Sequence, residues 1–128
     1  MNRLVLALLG TALCALPVHA DELLGSYSAY IGRADLYNSR GMRLTKPWEV
    51  LRQDRANVHK FGIRQKGDED DDFFDSIENR AALEYMVAQG EISREATRAI
   101  MKGGATVTVE IYGRNGRGTY VNVLVSRE

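Results

Sequence analysis

The chain has 128 residues, of which 45% are hydrophobic and 27% are charged, and its 17 basic residues balance its 17 acidic ones. This length fits one domain with a packed core. The near-neutral charge excludes the strong positive field with which proteins attract nucleic acid or an anionic membrane surface.

Residues 1–20 have the pattern of a secretory signal peptide. Arg3 supplies a positive charge, and the segment 4–17 that follows is uncharged and rich in leucine and alanine. Ala20 ends a small-residue cleavage site, and this order of features is typical of exported proteins. The apolar run is too short to span a bilayer, which needs about 20 apolar residues. We predict cleavage after Ala20, which leaves a mature domain, 21–128, with sixteen basic and seventeen acidic residues.

Cys14 is the only cysteine of the sequence and lies within the predicted signal peptide. The mature domain therefore has no disulfide bond, although small exported domains often depend on them, and its stability must come from its core. A lipid anchor on Cys14 is one alternative to cleavage, but a lipobox needs a small residue before the cysteine and Leu13 is large. We expect a periplasmic location, with secretion or a lipid anchor at Cys14 as the alternatives.

The mature domain begins with strand signals. Residues 26–31 alternate apolar and polar side chains, and this period of two predicts a half-buried strand. A turn at 38–41, which contains asparagine and glycine, is expected to join two very short strands at 35–37 and 42–44.

Three helices are predicted next. The first covers 45–60, where Pro47 fits the first turn because amides there have no partner within the helix. The second covers 76–89, and its apolar residues occupy most of its circumference, so we expect it to be the best-buried helix. The third covers 93–102, and glycines follow both the second and the third helix as stop signals.

The C-terminal part has the clearest pattern of the chain. Segments 105–112 and 119–125 alternate strictly around Asn115 and Gly116, the strongest short signal for a β-hairpin. The residues expected on the core face are Val107, Val109, Ile111, Val121, Val123 and Val125. Those expected on the outer face are Thr108, Glu110, Tyr112, Tyr120 and Asn122. The order of strand, helices and hairpin predicts an α+β domain, a small antiparallel sheet with about three helices packed on one face.

The register of the hairpin can be inferred from burial. A two-residue loop at 115–116 would pair Val109 with Asn122 and place the two apolar rows on opposite faces. A three-residue loop at 114–116 pairs Val109 with Val121 and keeps the apolar rows together. Because a slip of one residue exchanges the faces of a strand, we predict the three-residue loop.

Three candidate contact residues share one face of the first predicted helix. Arg52, Arg55 and His59 are separated by three and four residues, a spacing that places side chains on the same side of a helix. Three occupants fit this face: an anion, an acidic partner, or the chain's own acidic run at 68–72.

Enzymatic activity is the least favoured class of function. His59 is the only histidine of the mature domain, and a catalytic histidine needs a nucleophile and an orienting acid within reach. Asp54 lies five residues earlier, about 140° round the helix, and so does not share its face. The sequence has no Walker, dinucleotide-binding or serine-hydrolase motif. We assign no catalytic residue and no cofactor.

The tip of the predicted hairpin carries a second set of candidates. Arg114 and Arg117 flank the turn, and Tyr112 and Tyr120 lie on the predicted outer face. Arginine and tyrosine together are typical of binding hot spots, although tyrosine is also common in ordinary exposed strands.

The segment 68–72 is a run of five acidic residues in a polar loop. Calcium needs six to eight oxygens, which an EF-hand supplies at fixed positions round a glycine turn. A frame that starts at Asp68 is matched by Asp70 and Asp72. Phe73 stands where that frame requires glycine, so the run is not an EF-hand. We expect a solvated loop held open by like-charge repulsion, with a metal site at these three aspartates as the alternative.

Two segments carry a resemblance. The sequences NSRGMRLT at 38–45 and LRQDRANVHKFG at 51–62 resemble small exported proteins of uncharacterised function from Gram-negative bacteria. The resemblance covers about the first half of the mature domain and implies no activity, so no functional residue can be carried over. It implies a periplasmic location and directs attention to the predicted first helix.

The leading hypothesis is a non-enzymatic periplasmic domain that binds a protein or another envelope component. The residues proposed for the contact are Arg52, Arg55, His59, Tyr112, Arg114, Arg117 and Tyr120. The alternative is a periplasmic protein that binds a small ligand or a divalent cation through the acidic loop. We expect neither nucleic acid as a partner nor a transmembrane segment after cleavage of the signal, and we predict no oligomeric state.

Overall fold

A computed structural model describes residues 20–126 of the chain. The predicted signal peptide lies outside the described residues except for Ala20, and Cys14 lies outside them as well. Residues 21–126 are the described part of the predicted mature domain.

In the described part of the chain, three antiparallel strands form one sheet. Strand β1 spans Glu22–Ile31, β2 spans Ala105–Arg114 and β3 spans Arg117–Val125, and they lie side by side in that order. β1 pairs with β2, and β2 pairs with β3 in the C-terminal hairpin. The predicted α+β architecture with a small antiparallel sheet is therefore confirmed.

Within residues 20–126, four α-helices lie on one side of this sheet. They are α1 at Pro47–His59, α2 at Ile77–Ala81, α3 at Leu83–Gln89 and α4 at Arg94–Lys102. In each of the first, third and fourth, buried apolar residues pack against the inward side chains of the strands. Within residues 20–126, none of the helices is both long and apolar enough to cross a membrane.

The predicted second helix is divided into α2 and α3. Ala82 between them has a ψ angle of −4°, far from the value of about −42° that continues an α-helix. The expectation that this is the best-buried helix is wrong. Leu83 and Met86 are buried in the core, whereas Ile77 and Tyr85 are largely exposed.

The prediction of two short strands at 35–37 and 42–44 is also wrong. A 3-10 helix, Arg33–Leu36, forms instead, and only an isolated bridge joins Tyr37 to Arg43. The Asp35 side chain stabilises this turn, because its carboxylate accepts a hydrogen bond from the amide at position 32 at 2.9 Å.

The turn of the hairpin contains two residues and not three. Asn115 and Gly116 both have positive φ, 52° and 74°, the conformation required by the turn type that suits twisted hairpins. Arg114 and Arg117 pair directly across it. An asparagine–glycine pair adopts these angles readily, which explains why the shorter loop forms.

A bulge in β3 keeps the apolar rows on one face despite the short turn. Val109 pairs with Val123, and not with Val121 as predicted. Thr119 has no counterpart in β2, and one extra residue shifts the register by one and restores the alternation. The predicted core residues of the hairpin are buried apart from Val125, which is partly buried.

The free edge of β1 is covered by the acidic run. The amide of Glu69 donates to the carbonyl of Ser28 at 2.8 Å, and the Glu69 carboxylate accepts from the Ser28 amide at 2.9 Å. The Asp68 carboxylate accepts from the amide of Tyr30, also at 2.9 Å. We call residues 68–72 the acidic strap. It satisfies backbone groups that an open edge would offer to another strand.

The free edge of β3 is covered by the segment between α3 and α4. The amide of Val123 donates to the carbonyl of Glu91 at 2.8 Å, and the amide of Ser93 donates to the carbonyl of Val123 at 3.4 Å. Gly90 permits this close approach, since a Cβ there would lie 1.7 Å from the carbonyl oxygen of Val121. Both edges of the sheet are thus occupied by the chain itself.

Candidate functional site

The three residues predicted to share a face of α1 occupy different environments. Arg52 is exposed, with its guanidinium carbon 4.9 Å from the ring centre of Trp48. Arg55 is fully buried, and the His59 side chain is almost so. Helical spacing predicted the common side of the helix but not the depth of each side chain.

The Arg55 guanidinium joins α1 to the acidic strap. Its Nε donates to the Asp54 carboxylate at 2.8 Å, and its Nη1 donates to the Asp71 carboxylate at 2.7 Å and to the backbone carbonyl of Glu69 at 3.0 Å. Its guanidinium carbon lies 4.0 Å from the ring centre of Tyr27 in β1. Because arginine stays protonated in proteins, this contact places a permanent charge in the interior, where the Asp71 carboxylate compensates it.

Asp71 connects the strap to three different groups. One carboxylate oxygen accepts from Arg55 and lies 2.8 Å from Nε2 of His59. The other accepts from the amide of Phe74 at 2.6 Å. Of the three occupants considered for the α1 face, the chain's own acidic run is therefore the one observed at Arg55 and His59. The expectation of a loop held open by repulsion is wrong, because the strap is held on both α1 and β1.

The three aspartates considered as metal ligands have separate surroundings. Asp68 accepts from the amide of Tyr30, whereas Asp70 forms an ion pair with Arg64 at 3.0 Å. That hydrogen bond from Arg64 lowers the pKa of Asp70, and Asp72 is exposed. Within residues 20–126, no group of three or more histidine, cysteine or acidic side chains is arranged to hold a metal ion. The cation alternative thus has no supporting geometry in this part of the chain.

A buried acid completes the polar cluster, and sequence reasoning missed it. Asp54 is fully buried, and burial raises its pKa from 3.8 to about 7. One of its carboxylate oxygens has no hydrogen-bond partner among the described residues. The sequence does contain a signal for this burial. Asp54 and Arg55 each lie three or four residues from both Leu51 and Val58. Both polar residues therefore lie on the side of α1 that carries its apolar stripe.

The sheet face that the helices leave open carries the other candidates. The rings of Tyr112 and Tyr120 stack with centres 4.8 Å apart and planes 8° from parallel. Leu23 pairs with Tyr112 from β1, and its side chain is 55% exposed. These three side chains form one row across the sheet, at its hairpin end.

The two arginines of the hairpin extend this row. Arg114 follows Tyr112 by two residues and pairs with Arg117, so both lie on the face of the tyrosines. Arg114 donates to the carboxylate of Asp21 yet remains 58% exposed, and Arg117 is exposed. Hydrogen bonds from the Thr119 hydroxyl and from Arg114 lower the pKa of Asp21. The structure thus brings together the four hairpin residues predicted from the sequence. We call Leu23, Tyr112, Arg114, Arg117 and Tyr120 the tip face.

Comparison with known proteins gives no relative for this chain. No protein-family model matches it, and neither a curated protein nor a solved structure is significantly similar to it. The resemblance of 38–45 and 51–62 to small exported proteins stays a prediction, and the function must be inferred from the chain's own residues.

Asp71 provides a test of the strap. We expect Asp71→Ala to lower the free energy of unfolding by about 3 kcal/mol, because it removes one partner of a buried ion pair. Urea denaturation of both proteins measures this difference. Asp70→Ala is the matched control, since it makes the same change of charge and size one residue away, at a side chain that is 61% exposed. It should change stability by less than about 1 kcal/mol. Equal losses in the two variants would show that Asp71 does not hold the strap.

Asp54 makes stability depend on pH. Its pKa in the folded protein, about 7, lies above its value in the unfolded chain, about 4. The stabilisation is therefore complete below about pH 4 and is lost as the pH rises through about 7, because ionisation then favours unfolding. We expect the melting temperature of Asp54→Asn to fall less than that of the wild type between pH 4 and pH 7. An unchanged slope in Asp54→Asn would contradict the assignment.

Proposed function

We propose that this protein is a small exported domain without catalytic activity, which binds a protein of the cell envelope through the tip face. The observation that carries the proposal is the row formed by Leu23, Tyr112 and Tyr120. It places an exposed leucine and a stacked tyrosine pair beside two arginines, on a sheet face that no helix covers within residues 20–126.

The composition of the tip face supports a protein contact. Tyrosine and arginine are enriched among the residues that dominate binding energy, whereas scattered exposed leucines are not informative alone. Here Leu23 is adjacent to the aromatic pair, so one partner surface can cover all three side chains. The parallel stacking of Tyr112 on Tyr120 fixes both rings before binding, which reduces the entropy that the complex must lose.

The closed edges of the sheet support the face as the contact surface. Segments 68–69 and 91–93 occupy the free edges of β1 and β3 by backbone hydrogen bonds. Addition of a partner strand at these edges would first require their displacement. A partner that leaves the fold intact therefore meets side chains of the open face.

Charge indicates which part of a partner would lie at the tip. Arg114 forms a salt bridge with Asp21, whereas Arg117 forms no salt bridge within residues 20–126. An acidic segment next to an apolar patch would complement this end of the sheet and increase the rate of association.

Only part of the residues predicted from the sequence belong to the proposed contact. Arg55 and His59 hold the strap and have little exposed surface, so they are left out of it. Arg52 is exposed, but it lies on α1, on the opposite side of the sheet from the tip face, and is also left out. The export pattern of residues 1–20 supports a periplasmic location, where a protein of the envelope is the natural partner.

Site-specific photo-crosslinking in cells that produce the full chain tests the proposal. A crosslinker at Asn115 should capture an envelope protein that a crosslinker at Arg98 on α4 does not capture. The captured protein is then purified, and its affinity is measured for the wild type and for the double variant Tyr112→Ser, Tyr120→Ser. Loss of hot-spot residues predicts a dissociation constant raised by about 30-fold or more.

Arg98→Ala is the control for this measurement, because Arg98 is exposed on the helical layer. It should leave the affinity unchanged. Equal capture from both crosslinker positions, or equal affinity after loss of both tyrosines, would refute the tip face as the contact surface. Capture of a polysaccharide in place of a protein would refute the class of partner.

A further inference from the structure

A groove of about 200 Å³ separates α1 from α2 in the helical layer. Residues that line it include Arg52, Ala56 and Lys60 on one side and Ile77, Arg80 and Ala81 on the other. It is distinct from the tip face, which lies on the uncovered face of the sheet.

The charged part of the groove is entirely basic. Arg52, Lys60 and Arg80 line it, and no acidic side chain of residues 20–126 does so. Within the same residues, none of these three forms a salt bridge with a carboxylate. Because the mature domain has a net charge close to zero, this concentration of positive charge is local and favours an anion in the groove.

Two of the three cations are held in place before any ligand binds. Arg80 is only 8% exposed, and its Nη1 donates to the backbone carbonyls of Phe74 at 2.9 Å and of Asp75 at 3.0 Å. The guanidinium of Arg52 is stacked near the ring of Trp48. A guanidinium fixed in this way keeps further N–H groups for a carboxylate and loses little freedom on binding it.

Apart from Gln53, the rest of the groove lining is apolar. Ala56 and Ala81 contribute small side chains to the lining, and the side chain of Ile77 is 62% exposed. A ligand that binds only through its charge would leave this apolar surface in water. The groove therefore fits an anion that also carries an apolar body.

We propose that the groove between α1 and α2 binds a small aliphatic carboxylate, with its head group at Arg52 and Arg80 and its chain against Ile77. Hexanoate, which carries one carboxylate on a short alkyl chain, combines both features and serves as the probe. The site does not depend on the tip face, so each of the two proposals can fail without the other.

Titration of the ¹⁵N-labelled protein, produced from its full coding sequence, tests the site by NMR. Hexanoate should cause saturable shifts of the Ala56 and Ala81 amide signals. Hexanamide has the same number of non-hydrogen atoms without the charge, and acetate has the charge without the chain. Each should bind at least about tenfold more weakly, since each lacks one half of the contact.

The double variant Arg52→Gln, Lys60→Gln should bind hexanoate at least about tenfold more weakly with an unchanged melting temperature. It is preferred to a change at Arg80, whose buried contacts also support the fold. Arg98→Gln, on α4, should bind as the wild type does. The proposal is overturned if hexanoate causes no saturable shifts in the groove, if hexanamide binds equally well, or if the double variant keeps its affinity.

Discussion

The buried guanidinium of Arg55 is the constraint on which the rest of this structure depends. A charge without access to water must be compensated at close range, because the desolvation of an ion is unfavourable by several kcal/mol. Asp71 supplies the compensating carboxylate from the acidic strap, and Asp54 on the same helix accepts a hydrogen bond from the Arg55 Nε. Pairing with Asp71 brings a run of like charges, which would otherwise repel one another in solution, onto α1 and along the edge of β1. The strap in turn protects a strand edge that would otherwise be free to pair with another chain.

The closure of the two sheet edges determines which surface is left for a partner. The helices cover one face, the strap covers the edge of β1, and the segment 91–93 covers the edge of β3. The open face carries mostly polar side chains, and its aromatic and basic residues are concentrated at the hairpin end. The proposed binding surface is therefore the part of the fold where exposed apolar, aromatic and cationic groups coincide. The groove between α1 and α2 combines charge and apolar surface on a smaller scale, suited to a small ligand.

Sequence patterns predicted the elements with strong periodicity and missed what depends on distant residues. Alternation, helical spacing and turn signals indicate the hairpin, α1 and α4. The alternation of the strands also predicts that Tyr112 and Tyr120 lie on the same face. The predicted register of the hairpin was wrong because a bulge at Thr119 and a longer loop place the same side chains on each face of the sheet. Alternation alone does not distinguish the two. The strap was missed because its partners lie far away in the chain: Glu69 contacts a residue 41 positions earlier. Charge content predicts repulsion within such a run but does not show which distant cation compensates it.

Hydrogen exchange at the amides of Ser28 and Tyr30 tests the central claim most directly. Both amides lie on the outer edge of β1 and donate to carboxylates of the strap, at Glu69 and Asp68. If the strap is held in place, both should exchange only when the protein opens, with protection close to that of the amides within the β2–β3 hairpin. Exchange of Ser28 and Tyr30 at the rate of an unstructured peptide, with the hairpin still protected, would show that the strap is not bound. It would remove the role assigned to Arg55 and Asp71.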